Sequence, residues 1–193
     1  MKLKTLSLPD LEQVRQWRNE SLSALRTPFL LTQEQQETFY RDVICNRQAN
    51  ARYWGVWIIS DVTTIGGMQL QQNILIGMCG VENIQHENRL AEISLLLKPD
   101  HTIDANFPDV LKLLLHEGFM NMNLENIFTE AYDCNPNIHL WLAVAAEYNC
   151  KVSMLTNRKY HNGGYWNSRY INFNKGDYLE HENLISQPTQ TLN

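Results

Sequence analysis

Two hydrophobic periods alternate along this chain, and the clearest change from one to the other lies between residues 89 and 119. Ile93 to Leu97 is an apolar run broken only by Ser94, which is typical of a strand buried on both faces. Lys98-Pro99-Asp100 ends the run, because proline cannot continue a hydrogen-bonded ladder. Apolar residues then recur at helical spacing, at Phe107, Leu111, Leu114, Leu115 and Phe119. The pattern predicts a buried strand, a short loop and a helix.

The helix is predicted to begin near Asn106. Asparagine suits the N-cap, Pro108 suits the first turn, and Asp109 complements the helix dipole. A strand that leads into a helix N-terminus through a short loop commonly presents free backbone N–H groups to an anion. The start of this helix is therefore a candidate anion site.

Further strands and helices follow from the same two periods. The predicted strands are 2–8, 52–60, 74–81, 126–132, 150–156 and 169–173, and the predicted helices are about 9–20, a helix from Thr32 onward, and 137–148. Residues 61–73 are longer than a usual hairpin connection, so they form either an extra hairpin or an extended loop. Asn162-Gly163 is a strong signal for a hairpin turn between the last two strands.

Composition limits the class of protein. The 193 residues are 44% apolar and 19% charged, which are values typical of one globular domain. We assign residues 1–178 to that domain and residues 179–193 to a polar C-terminal tail. The net charge of −5, without a cluster of Lys and Arg, argues against a nucleic-acid partner. No segment resembles a signal peptide or a membrane span, so we expect a cytoplasmic protein with no membrane partner.

The cysteines and histidines do not predict a metal site. The four cysteines lie far apart without a CxxC pair, which fits reduced thiols better than disulfides or zinc. The six histidines show no metal-ligand spacing. The sequence is compatible with a homodimer as well as with a monomer.

Several motifs resemble those of the GNAT N-acetyltransferases, in particular the branch that includes ribosomal-protein and amino-sugar acetyltransferases. Trp17-Arg18-Asn19 resembles a signature of the first helix in that family, and the 74–81 strand resembles its Ile-Gly-x-x-Gly strand. The final hairpin of the family is matched at Arg158, Tyr160, Asn162-Gly163 and Tyr165. The resemblance implies a mixed α/β (α+β) fold, with a mostly antiparallel twisted sheet of six to seven strands and about four flanking helices.

The same resemblance implies acetyl-CoA as cosubstrate, and no metal. The backbone of Leu96, Leu97 and Lys98 would bind the pantetheine arm and polarise the thioester carbonyl. The pyrophosphate would lie at the helix start, and Asn135 or Asn137 matches an asparagine of a later helix. The residues implied for the pyrophosphate are Ala105, Asn106 and Phe107. The family has a basic residue and two glycines in this loop, whereas this chain has Thr102, Ala105 and Phe107.

Acetyl transfer to an amine needs a base for the amine and an acid for the leaving thiolate. Glu92 is the candidate base, because it interrupts a strand that otherwise excludes charge. The alternative is a structural carboxylate paired with Arg89 or Arg52. The acid tyrosine of the family falls on Leu142 or Ala145. Substitutes for it are Tyr132, Tyr148 and Cys134.

The acceptor would lie between the first two helices and their connector, if the family's arrangement holds. Arg18, Asn19, Arg26 and Phe29 are the candidate acceptor residues by position. The expected acceptor is an amino sugar, a small amine or a protein N-terminus, attacked directly by its nitrogen on the acetyl group. The alternative function is a catalytically inactive relative that keeps the fold as a binding or scaffolding protein.

Overall fold

A seven-stranded sheet in the order β1-β2-β3-β4-β5-β7-β6 is the frame of the protein. The computed structural model describes residues 1–65, 68–100 and 103–186, and for residues 24, 60–65, 68–71, 185 and 186 it describes the backbone alone. The strands are β1 (Lys2–Lys4), β2 (Arg52–Ile65), β3 (Met68–Gln85), β4 (Leu90–Leu97), β5 (Asn126–Tyr132), β6 (Lys151–His161) and β7 (Gly164–Asn174). The expected mixed, mostly antiparallel sheet is confirmed.

Five α-helices flank this sheet within the described residues. They are α1 (Leu8–Glu20), α2 (Gln33–Phe39), α3 (Ile103–His116), α4 (Ile138–Glu147) and α5 (Lys175–Ser186). Thr32 with Gln35 forms a capping box at the start of α2, and Ser7 with Asp10 forms another at α1. A π-helical turn extends α2 through Tyr40–Ile44, and another extends α3 through Glu117–Asn121.

Both faces of the sheet are covered, because consecutive strand residues point to opposite sides. Leu75 of β3 packs with α1 in a cluster that includes Leu11 and Val14. Its neighbour Ile76 belongs to the larger cluster, which contains the buried faces of α3 and α4. Helices α1 and α2 therefore lie on one face, and α3, α4 and α5 lie on the other.

The pairing of β4 with β5 is the one parallel contact among the described strands, and it is short. Only three pairs form, from Leu90 with Asn126 to Glu92 with Phe128. Strand β4 continues to Leu97 and β5 to Tyr132, but beyond these three pairs the two strands do not pair with each other. The sheet is therefore open between the carboxyl ends of these two strands, where parallel sheets commonly bind ligands.

Several boundaries differ from the sequence prediction. Strand β1 ends at Lys4 instead of Leu8, β6 extends to His161, and β7 begins at Gly164 instead of Arg169. Helix α3 begins at Ile103 instead of near Asn106, and Pro108 lies inside it. Residues 61–73 form part of one long hairpin of β2 and β3, so the hairpin alternative is confirmed for the described residues; 66 and 67 lie outside them. The proposed boundary between domain and tail, after residue 178, falls within α5, and residues 187–193 lie outside the described range.

The predicted turn at Asn162-Gly163 is confirmed by its backbone angles. Both residues have positive φ, 51° and 82°, which is the signature of a type I′ turn. Asparagine and glycine tolerate this region, so the local sequence determines the turn. The hairpin places Lys159 opposite Trp166, close to the open end of the sheet.

Gly80 tests the close packing of β2 on β3. A Cβ atom at this position would overlap the Arg52 carbonyl oxygen and the Tyr53 ring. Gly80→Ala is expected to lower the free energy of unfolding by about 1–3 kcal/mol, measured by urea denaturation. Gly164→Ala is the matched control, because a Cβ atom there would meet no atom within 4 Å. Equal stability of the two variants would contradict this strand pairing.

Candidate active site

Two adjoining cavities occupy the opening between β4 and β5. The first has a volume of about 490 Å³ and lies on the side of α1 and α2. The second has a volume of about 450 Å³ and lies beside the start of α3 and α4. Residues that line both cavities are Leu25, Leu95, Leu96, Asn135 and Trp141. A ligand group in one cavity can therefore lie close to a group in the other.

The open edge of β4 carries free backbone groups. The Lys98 amide donates to the Ile76 carbonyl at 2.8 Å, so Lys98 directs its backbone toward β3. In an antiparallel ladder, alternate residues direct both backbone groups to the same neighbour. Leu96 therefore also faces β3, whereas Leu95 and Leu97 direct their amides to the edge that β5 has left.

Phe107 forms a wall of the second cavity and does not fill it. Its side chain is only 4% exposed and packs edge-to-face on Trp141, with ring centroids 4.9 Å apart. The cavity also contacts Leu97 and Ile103. Because α3 begins at Ile103, Phe107 lies beyond its first turn, and its ring points into the core.

The first turn of α3 presents amides without helical partners. An α-helix leaves the amides of its first three residues without intrahelical acceptors, and here these belong to residues 103 to 105. The Ile103 amide donates to the Asp100 carbonyl at 3.3 Å. Asp104 and Asp100 place carboxylates close to this end, and Asp104 lies 3.9 Å from His139 of α4.

Glu92 lies where the pairing of β4 and β5 ends, and its buried carboxylate pairs with a half-exposed arginine. The Arg26 guanidinium donates Nη2–H to Glu92 Oε1, and Asn83 Nδ2 donates to Glu92 Oε2 at 3.0 Å. Arg26 also donates from Nε to the Tyr132 hydroxyl at 3.2 Å. The hydrogen bond with Glu92 raises the pKa of Arg26 above its ordinary value. Arg26 thus connects β4 with β5 across the gap.

Two more carboxylates line the first cavity, and each has a partner. Tyr53 donates its hydroxyl to Glu82 at 2.5 Å, and burial raises the pKa of Tyr53. Glu130 accepts from Ser168 at 2.7 Å and from Arg158 at 2.9 Å. Burial alone would raise the pKa of Glu130, but these hydrogen bonds lower it below its usual value.

The connector between α1 and α2, residues 21–31, runs along both cavities, and we call it the strap. Lys159 of β6 is 6% exposed and donates to the carbonyls of Ser23 and Leu25 at 2.8 and 2.6 Å. Its ammonium also lies 5.2 Å from the centroid of the Tyr132 ring. The strap is therefore fixed from the far end of the sheet.

Helix α1 holds the other end of the strap. Arg18 donates to the carbonyls of Phe29 and Thr27 at 2.7 and 3.1 Å, and its guanidinium lies 5.1 Å from the Phe29 ring centroid. Burial lowers the pKa of Arg18. Asn19 exchanges two hydrogen bonds with the backbone of Leu31. The ordered strap follows from these side-chain bonds, since it contains only one short helical turn.

Comparisons with known proteins identify the family of the chain. Residues 1–139 match the model of the acetyltransferase (GNAT) domain. The chain belongs to the GNAT family. No curated protein sequence matches it.

Several solved GNAT structures share the fold. A spermidine N-acetyltransferase from Vibrio cholerae, in complex with CoA and spermine, has a TM-score of 0.74 at 20% identity, covering 92% of this chain and 97% of that one. A chimera of the Vibrio cholerae enzyme and hSSAT has a TM-score of 0.72 at 20% identity, covering 93% and 99%. Mutant forms of the Vibrio cholerae enzyme match with a TM-score of 0.72 at 19% identity, covering 94% and 97%. At these identities the likeness shows the fold.

The sequence-predicted cofactor residues separate into two groups within this GNAT structure. Leu96, Leu97, Phe107, Asn135 and Asn137 line the second cavity. Lys98, Ala105 and Asn106 do not line it, although the last two lie in the first turn of α3. Thr102, at the family's basic position, lies outside the described residues. In the described part of the wall the charged residues are Glu20 and Asp100.

The predicted acceptor residues also separate. Arg18 and Arg26 line the first cavity, whereas Asn19 and Phe29 serve the strap. The arginine beside Glu92 is Arg26, so the alternative pairing with Arg89 or Arg52 is wrong. Arg89 binds Asn123 and Glu125, and Arg52 binds backbone carbonyls.

Sequence reasoning missed several residues of the first cavity, chiefly because their partners are far away in the chain. Glu82 and Glu130 line it, whereas Asn83 and Lys159 bind two residues of its wall, Glu92 and Leu25. The residue type of Asn83 is the one local signal, because asparagine is favoured where the backbone has positive φ, and Asn83 has a φ of 53°. Among the candidate acids, Tyr132 lines the first cavity, whereas Tyr148 packs in the core on Tyr178 and Phe173. Cys134 is half-buried and lines neither cavity.

Two absences hold for the part of the chain that the structure describes. No group of His, Cys, Asp and Glu side chains there could hold a metal ion. None of the helices in residues 1–65, 68–100 and 103–186 has the length and apolar character needed to cross a bilayer.

Lys159 tests whether β6 holds the strap. Lys159→Met removes the donor of the Ser23 and Leu25 carbonyls and keeps most of the apolar stem. Amide exchange in residues 21–31 should become about 10-fold faster or more, since a hydrogen bond from a charged donor contributes roughly 1.5–3 kcal/mol. Exchange measured by mass spectrometry reports this.

The matched control is Lys151→Met, at the exposed start of the same strand, which should leave strap exchange unchanged. If both variants protect the strap as the unmodified protein does, the strap is held by other contacts.

Proposed function

We propose that this GNAT protein transfers an acetyl group from acetyl-CoA to an amine by direct attack of the amine nitrogen. The observation that carries this proposal is the open edge of β4, where the amides of Leu95 and Leu97 lack strand partners between two adjoining cavities. An acyl transferase needs hydrogen-bond donors for the carbonyl oxygen that gains charge, and fixed backbone amides supply them.

The second cavity fits the thioester arm of acetyl-CoA better than its diphosphate. Leu97, Phe107 and Trp141 give an apolar channel beside the β4 amides. The first-turn amides of Asp104 and Ala105 would hold the diphosphate through the helix dipole, without a basic residue from the described wall. A structural neighbour is a spermidine N-acetyltransferase in complex with CoA, which supports acetyl-CoA as the donor here.

The first cavity favours an acceptor that carries positive charge. Glu82, Glu92 and Glu130 line it together with Arg18 and Arg26, so carboxylates outnumber guanidinium groups in the described wall by three to two. Of the three acceptor classes expected from the sequence, a small cationic amine agrees best with these carboxylates, as does the spermine in a neighbour's complex. An amino sugar or a protein N-terminus, as in the branch that the sequence resembles, is the second choice.

Glu92 is the proposed base for this amine. Each carboxylate oxygen has two lone pairs, and Arg26 and Asn83 each use one. An ammonium in the first cavity can therefore donate to Glu92 without first breaking either bond. Transfer of its proton to the carboxylate frees the nitrogen lone pair for attack on the acetyl carbonyl.

The competing function is a binding module without catalysis. Two observations favour it. Leu142 or Ala145 stands where the family has its acid tyrosine, and the charged residues in the described wall of the second cavity are acidic. Both observations concern how acetyl-CoA binds and leaves, so binding of acetyl-CoA separates the two functions.

Calorimetry and turnover together test the proposal. Acetyl-CoA should bind with measurable heat, and a polyamine acceptor should be acetylated. Glu92→Gln should lower kcat by about 10²- to 10⁴-fold, because general-base catalysis is lost, and should change the Kd for acetyl-CoA by less than about twofold.

Glu125→Gln is the control, since Glu125 is a surface carboxylate paired with Arg89. The absence of heat at millimolar acetyl-CoA would favour the binding module. Turnover by Glu92→Gln equal to that of the unmodified protein would remove Glu92 as the base.

A further inference from the structure

The leaving group of the proposed reaction has no acid at the position expected from the family. A thiolate that leaves the tetrahedral intermediate must gain a proton. Leu142 and Ala145 of α4 cannot donate one. We infer that Tyr132, the last residue of β5, protonates the leaving thiolate, and that Arg26 is the residue that positions it. This inference rests on the proposed acetyl transfer.

Tyr132 is the phenol of the first cavity whose proton is available. The hydroxyl-bearing residues on the described walls of the two cavities are Ser21, Ser23, Thr27, Tyr53, Ser94, Thr129 and Tyr132. A phenol is a much stronger acid than an aliphatic hydroxyl. Tyr53 already donates to Glu82. Tyr132 accepts from Arg26, and among the described residues no acceptor takes its own proton.

The position of Tyr132 agrees with this role. Its side chain is only 6% exposed and lines the first cavity. The Asn135 amide donates to the Tyr132 carbonyl at 2.8 Å, and Asn135 lines both cavities. Tyr132 is therefore anchored beside the place where the cavities adjoin, where a thioester in one would meet an amine in the other.

Two cations face the oxygen and ring of Tyr132. Arg26 Nε lies 3.2 Å from the hydroxyl oxygen, and the Lys159 ammonium lies 5.2 Å from the ring centroid. Fixed positive charge at a site where negative charge develops stabilises the transition state. These cations are therefore placed to stabilise the phenolate that forms when Tyr132 gives up its proton.

Arg26 can balance the charge before and after the reaction. Before it, the guanidinium faces the Glu92 carboxylate and the neutral Tyr132 hydroxyl. After the amine proton has moved to Glu92 and the phenol proton has moved to sulfur, the same guanidinium faces a neutral carboxyl and a phenolate. The net charge of the three groups is zero in both states, so no isolated buried charge is created.

The proposed step balances in atoms and electrons. The amine nitrogen forms the bond to the acetyl carbon, the C–S bond breaks, and its electron pair goes to sulfur. Sulfur then takes the Tyr132 proton, and Glu92 holds the proton that the amine lost. The acceptor enters as an ammonium and therefore loses two protons. The amide nitrogen gives the second to the phenolate, Glu92 releases the first to solvent, and the products are the neutral amide, free CoA and one proton.

Tyr132→Phe tests the inference, because it keeps the ring and removes only the hydroxyl. We expect kcat with acetyl-CoA to fall about 10²-fold or more, with CoA affinity by calorimetry within about twofold. An acetyl thioester of an aromatic thiol needs less help from an acid, since its thiolate is a better leaving group. With that donor, the loss of kcat caused by Tyr132→Phe should be about 10-fold or less.

Tyr148→Phe is the matched control, since this tyrosine lies in the core and lines neither cavity. It should keep both kcat values. The kcat of Arg26→Lys should lie between that of the unmodified protein and that of Tyr132→Phe. Its loss of kcat should also be smaller with the aromatic donor than with acetyl-CoA. Thermal unfolding shows that each variant is folded.

Equal kcat for Tyr132→Phe and the unmodified protein would overturn the inference, and so would an equal loss with both donors. An unmodified protein that binds no acetyl-CoA would instead overturn the proposed function. The two failures are thus distinguishable.

Discussion

The early end of the parallel pairing between β4 and β5 is the constraint on which the rest of the site depends. Three residue pairs join the strands, and beyond Glu92 and Phe128 the backbone of each is free of the other. Buried strand edges normally find partners, because unpaired amides are costly. Here cavities lie along the edge, and the amides of Leu95 and Leu97 face them. Substrate groups are the natural partners for these amides.

Hydrogen bonds and an ion pair of Arg26 connect β4 with β5 where their backbones no longer pair. Arg26 reaches from the strap to Glu92 on β4 and to Tyr132 on β5, so one guanidinium spans the opening. Lys159 and Arg18 hold the strap by its carbonyls. The first cavity thus combines three carboxylates with two arginines, of which Arg18 is bound to strap carbonyls and Arg26 to Glu92. Such a wall attracts an ammonium while it keeps its own charges paired.

Local sequence signals predicted the elements well. The β5 strand was predicted at residues 126–132, as observed, and the Asn162-Gly163 turn followed from two residues that tolerate positive φ. The start of α3 was placed too late, because Asn106 is a good N-cap in isolation and tertiary packing extends the helix to Ile103. Helix α5 was missed because its buried face is narrow, with Tyr178 as its deeply buried residue. The Arg26–Glu92 pair joins residues 66 positions apart, which no local pattern encodes.

An NMR titration of ¹⁵N-labelled protein with CoA shows directly whether the open edge of β4 binds the proposed cosubstrate. Amide shifts are expected to change most at Leu95, at Leu97 and in the first turn of α3, with little change at the β6–β7 turn. Unchanged amide shifts at Leu95 and Leu97 at saturating CoA would contradict binding at this edge, because the ligand would then lie elsewhere on the fold.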